Sequence, residues 1–229
     1  MSVSAIALFG SRARGDHEPG SDTDLLLVTS EPTPRHVTRG HLSLSLYPYE
    51  DLVVRARQGD LFLCHVVKEA KVLYDNDGHF EVLRSSFRLR KSYSSEVRQA
   101  SDLGWFLARF GEMLDDPALV TRRIAWCVRT ILIARSAESG NPVFSVEALT
   151  EFSGLPSVRR LIRQKAESKV TSQATSDLKQ FLIQRGLEDP VTHADSTEPY
   201  RLRFSETSND VAIQTLRSID HDGLTGRYA

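Results

Sequence analysis

Two aspartates one residue apart, Asp22 and Asp24, follow a Gly10-Ser11 pair after ten intervening residues. Alternate side chains of a strand project from one face, so a strand starting near Asp22 presents both carboxylates together. Paired hard-oxygen donors suit Mg²⁺. Ahead of them, the apolar run Ser4-Ala5-Ile6-Ala7-Leu8-Phe9 stops at Gly10, which lets the backbone turn tightly and a ligand come close. A helix beginning at Ser11 aims its hydroxyl and the free N–H groups of its first turn at one spot, an anion site. Arg12 and Arg14 lie in the same turn and add positive charge. A phosphate cradle beside a metal clamp points to nucleotidyl transfer. Gly10 and Ser11, with Arg12 and Arg14, are the nucleotide-binding candidates. Asp22 and Asp24 are the metal-binding and catalytic candidates, through Mg²⁺ that bridges a triphosphate and neutralises departing pyrophosphate.

The elements that must position these groups follow from periodicity. Residues 4–9 and 24–28 are short apolar strands, the second ended by a breaker run through Pro32 and Pro34. His41 to Tyr47 alternates with period two, which predicts a third strand with its leucines on one buried face and its serines on the other. Tyr49 to Arg57 and Asp60 to Ala70 are expected helices, and Lys71 to Tyr74 an edge strand. After Asn76-Asp77-Gly78 the pattern is helical, over 79–90, 94–114, 117–137, 145–152, 157–167 and 172–185. Beyond Gly186 periodicity fades, leaving one amphipathic stretch over 209–219. The expected fold class is α+β, an N-terminal mixed sheet followed by an all-α domain. The expected domains are 1–78 for the catalytic front end, 79–190 for the helical domain and 191–229 for a C-terminal extension.

The segment Phe9-Gly10-Ser11-Arg12-Ala13-Arg14-Gly15-Asp16, continued by Ser21-Asp22-Thr23-Asp24-Leu25-Leu26, resembles the signature of the DNA polymerase β-like nucleotidyltransferase superfamily. In particular it is similar to the small bacterial members with a Gly-Ser, ten-residue gap, Asp-x-Asp pattern. Residues 61–65 and 69–75 resemble the end of the same domain more weakly. The resemblance implies a mixed sheet flanked by helices, magnesium dependence and an NTP donor, usually ATP. It also implies a hydroxyl acceptor, which across the family is a small molecule, a protein tyrosine or an RNA 3′ end. Many members carry a third carboxylate on the next strand as general base. Here the best-matching position is Ser43, with Ser45 second, and a serine neither binds Mg²⁺ as strongly nor accepts a proton at neutral pH. Either two carboxylates suffice, or Glu50, Asp51, His41 or Glu69 substitutes, or the chain is a non-catalytic nucleotide- or partner-binding module of a toxin–antitoxin or defence system. The Arg-x(4–6)-His pattern of ribonucleases that accompany such proteins is missing from the helical half.

Composition narrows the partners. A formal net charge of -1 argues against a nucleic-acid coat protein, whose affinity comes from many excess cations. Arg159, Arg160, Arg163, Lys165 and Lys169 form one local basic cluster, and Arg84, Arg88, Arg90 and Lys91 another. Solvated helix faces explain both, while tilting the acceptor towards RNA or protein over a small molecule. Cys64 and Cys127 sit in apolar runs and read as buried free thiols. His65 and Glu69, four apart on a helix, read as a local pair. No apolar run reaches the roughly 18 residues of a membrane span, so the expected location is cytoplasmic, with a homo-oligomer or a partner protein both open.

Overall fold

The computed structural model describes residues 2–167, 169–192 and 194–225. The chain divides into two compact units after Lys91. The first is built on β1 (Val3–Phe9), β2 (Thr23–Thr29), β3 (Arg35–Arg39), β4 (Leu42–Pro48) and β5 (Lys71–Asp75), in the order β3-β4-β2-β1-β5. β2 and β4 run parallel and the other neighbours antiparallel, so the sheet is mixed as expected. Short helix α1 (Gly10–Arg14) follows β1, and α2 (Tyr49–Arg57), α3 (Leu61–Glu69) and α4 (His79–Ser86) complete the unit.

Local chemistry sets these boundaries. Asp60 accepts a hydrogen bond from the Leu63 N–H and starts α3. The last residue of β5, Asp75, accepts from the N–H groups of His79 and Phe80 and so starts α4. Each such cap is worth about 1 kcal/mol. One sheet face carries the helices. Phe9 meets Phe62 and His65 of α3 edge-on, and Tyr47 stacks on Phe62 with the Arg55 guanidinium over its ring. Ala5 and Ala7, on the face of Phe9, are fully buried beneath that layer.

β3 adds to the sequence expectation, which assigned no element between Pro34 and His41. The segment Arg-His-Val-Thr-Arg is an exposed edge strand with only Val37 partly covered, so it has no apolar alternation to reveal it. β4 corrects a second expectation. Both serines are buried, Ser43 at 9% and Ser45 at 7% exposed, while of the leucines only Leu46 is buried, at 4%, and Leu42 and Leu44 are half-buried. The serines share the helix-bearing face with Tyr47, and period two alone cannot say which face a helix covers.

The second unit comprises α5 (Ser94–Phe110), α6 (Pro117–Glu138), α7 (Val146–Ser153), α8 (Ser157–Arg163), α9 (Ser172–Gln184), α10 (Glu198–Glu206) and α11 (Asp210–Thr225). Asp116, Ser145 and Thr171 cap α6, α7 and α9. α10 lay hidden where periodicity faded, because only Tyr200 and Phe204, four apart, face inward. Both rings pack edge-on against Phe106 of α5.

Polar ties hold α10 in place. The Tyr200 hydroxyl donates to Asp189 at 2.6 Å, and Arg203 pairs with Asp102 of α5 at 2.8 Å. Burial raises the Asp102 pKa even though Arg203 pulls it down. Removing Arg203 leaves that carboxylate 5% exposed and unpaired, so Arg203→Met is expected to destabilise the full chain by about 3 kcal/mol. The substitution raises the Asp102 pKa further, so the folded state binds the proton more readily than the unfolded one. The deficit in thermal denaturation therefore narrows as pH falls, and a deficit that widens in acid contradicts the assignment.

Candidate active site

Asp24 stands opposite Phe9 across the β1–β2 pair, so both side chains lie on the helix-bearing face. The next residue, Gly10, opens α1 at φ +75°, a left-handed conformation that L side chains rarely adopt. A Cβ placed on Gly10 would lie 2.6 Å from Asp24 Oδ2. Glycine is thus required twice, for the turn and for the approach of the carboxylate. No side chain caps the start of α1, which leaves the N–H groups of its first turn for other partners. Ser11 is half-buried within that turn.

Asp22 precedes β2 and its side chain is half exposed, 3.9 Å from His41 Nδ1. Asp24 is half-buried. In the parallel β2–β4 pair Ser43 is the residue in register with Asp24, and across β3–β4 Ser43 faces Thr38. One row of the sheet therefore runs Asp24, Ser43, Thr38, and the next on that face runs Leu26, Ser45, His36. Among the described residues, no group of three or more His, Cys, Asp or Glu side chains gathers as metal donors. Among the described residues, Ser43 rather than a carboxylate stands beside Asp24 on β4.

The two arginines are engaged elsewhere. Arg12 donates through Nε and Nη2 to the Ser21 carbonyl, at 3.2 and 2.9 Å, which ties α1 to the residue before Asp22. Arg14 pairs with Asp16 at 3.0 Å and with Glu69 at 2.7 Å. Burial works against its charge, yet Asp16 and Glu69 outweigh burial and raise its pKa. Glu69 also meets His65 Nε2 at 2.5 Å, the helix pair expected from their spacing. Glu69 is thereby committed to Arg14 and His65, while Glu50 and Asp51 occupy the first turn of α2.

Residues 1–81 match the sequence profile of the nucleotidyltransferase domain family. The chain carries a nucleotidyltransferase domain. A nucleotidyltransferase-like protein from Exiguobacterium sibiricum 255-15 is similar at 18% identity and a TM-score of 0.34, over 81% of this chain and 70% of that one. No protein of curated function matches. The family match supports an enzyme of the nucleotidyltransferase type, with a general nucleoside-monophosphate transfer activity.

Cys64 and Cys127 are buried and free, and burial pushes the Cys64 thiol up to about 11, far from a nucleophile's range. Arg160 pairs with Asp177 and Arg163 with Glu147, so part of that basic cluster is neutralised locally. No helix among the described residues is long and apolar enough to cross a membrane. The residue that sequence reasoning passed over is His36, whose edge strand carries no signal beyond its own side chain.

Gly10→Ala tests the close approach directly. It strains a positive-φ residue and drives a methyl group into the Asp24 carboxylate. A loss of about 1–3 kcal/mol in thermal unfolding is expected. Gly15→Ala, at a position with open space around it, should show only the backbone share of that loss.

Proposed function

We propose that this chain transfers AMP from ATP to a hydroxyl of an RNA, protein or small-molecule acceptor, with Mg²⁺ as cofactor. The observation that supports this most is the Asp24 carboxylate held against Gly10 at the uncapped start of α1. Gly10 and Ser11 would receive the β- and γ-phosphates on the backbone N–H groups of that turn. Asp22 and Asp24 fit a divalent cation: both are hard oxygen donors, and Mg²⁺ ordinarily takes one or two carboxylates together with phosphate oxygens and water. Bound there, Mg²⁺ would supply charge neutralisation at the triphosphate. Arg12 acts by holding Ser21, and through it the segment that carries Asp22. Arg14 fastens α1 to α3 through Glu69, a structural use of a residue that its position also nominates for phosphate.

Ser43 beside Asp24 favours a second reading, a nucleotide- or partner-binding module without turnover, of the kind found in toxin–antitoxin or defence systems. α-Labelled ATP with Mg²⁺, total cellular RNA and lysate protein separates the two. For the enzyme, pyrophosphate release with label transferred to one acceptor class is expected. The double change Asp22→Ala, Asp24→Ala should then lower the rate by about 10³-fold or more. Tight ATP binding by the wild type with no pyrophosphate release would support the module instead.

A further inference from the structure

We infer that His36 is the proton acceptor of this site, in the place of a carboxylate that Ser43 does not supply; the inference rests on the nucleotidyl-transfer reading above. The sheet register carries it. The position beside Asp24 on β4 is Ser43, and the row continues to Thr38 on the edge strand β3. His36, two residues before Thr38, is the next residue of β3 on the same face and stands opposite Ser45. Its imidazole is held by two hydroxyls, with Nδ1 3.4 Å from Ser45 Oγ and Nε2 3.4 Å from Thr38 Oγ1. A polar strip of Asp24, Ser43, Thr38, Ser45 and His36 thus crosses three strands, and its only side chain able to take a proton at neutral pH beyond the metal pair is the imidazole.

Both hydroxyl contacts are long for hydrogen bonds, and His36 is exposed. In the tautomer whose Nδ1–H faces Ser45 Oγ, Nε2 is the accepting nitrogen, and an acceptor hydroxyl can take the place of Thr38 Oγ1 there. In the step, the acceptor oxygen forms a bond to the α-phosphorus as its proton passes to His36 Nε2. The bond from the α-phosphorus to the bridging oxygen of the β-phosphate breaks, and its electron pair leaves with pyrophosphate. The imidazolium then returns its proton to solvent.

Several elements of this face carry ionisable residues, α3 among them with its Glu69 and His65 joined to Arg14. β2 contributes Asp24, and β4 contributes Tyr47 with Arg55 of α2 over its ring. Glu50 and Asp51 occupy the first turn of α2. On β3 itself Arg35, which pairs with Glu31, projects from the opposite face, across from Leu46. His41 lies 3.9 Å from Asp22 and is 76% exposed.

The test is pyrophosphate release from ATP and Mg²⁺ with total cellular RNA and lysate protein as acceptor pool, as a function of pH. His36→Gln is expected to lower kcat about 100-fold and to remove the ascending acidic limb of the pH profile, with ATP affinity and thermal midpoint unchanged. His41→Gln is expected to keep that limb. Ser43→Asp in the His36→Gln background is expected to restore turnover, since it puts a carboxylate in register with Asp24. Activity of His36→Gln within threefold of wild type, or a limb lost in His41→Gln instead, overturns the role of His36 and leaves nucleotidyl transfer standing. Wild-type protein that binds ATP but releases no pyrophosphate overturns both.

Discussion

The contact between the Asp24 carboxylate and Gly10 is the constraint around which the N-terminal unit is arranged. It needs a residue with no Cβ, at a positive φ, directly at the end of a buried strand. β1 meets that need by burying Ala5, Ala7 and Phe9 under the helices and then turning sharply. The antiparallel register sets Phe9 opposite Asp24, so the carboxylate arrives on the face where α1 begins. A slip of one residue would send Asp24 to the opposite face and bring Thr23 in its place.

Around that contact the cations also act as fasteners. Arg12 secures the loop that precedes Asp22, and Arg14 joins α1 to α3 through Glu69 and the neighbouring His65. A helix of five residues is too short to stand alone, so α1 depends on such tethers to keep its first turn aimed beside β2. The pair is partly screened from water, with Arg14 17% and Glu69 11% exposed, so it outranks the surface ion pairs of the helical unit as a structural tie.

The helical unit solves a separate problem. Its core of apolar residues from α5, α6, α8 and α9 is closed by aromatic side chains of α10 and by residues of α11. Buried polar groups fix where α10 docks: Asp102 must meet Arg203, and Asp189 must meet Tyr200 and Arg109. Leaving any of these unpaired in a low-dielectric setting is costly, which gives the C-terminal helices a defined seat.

The motif residues and most elements were legible from local pattern, because turns at glycine, strand alternation and helical periodicity are encoded within a few neighbouring residues. The mixed sheet with a helical half, the buried free cysteines and the His65–Glu69 pair all belong to that class. α10 escaped because two inward aromatics are too few to make a period, and β3 because an exposed edge strand is mostly polar. Which face of β4 the helices cover, that Arg12 and Arg14 are drawn to Ser21 and Glu69, and that His36 stands on the same face as Asp24 and Ser43 were decided only by tertiary structure. Those outcomes depend on strand order and register between segments distant in sequence, and no local pattern carries that information.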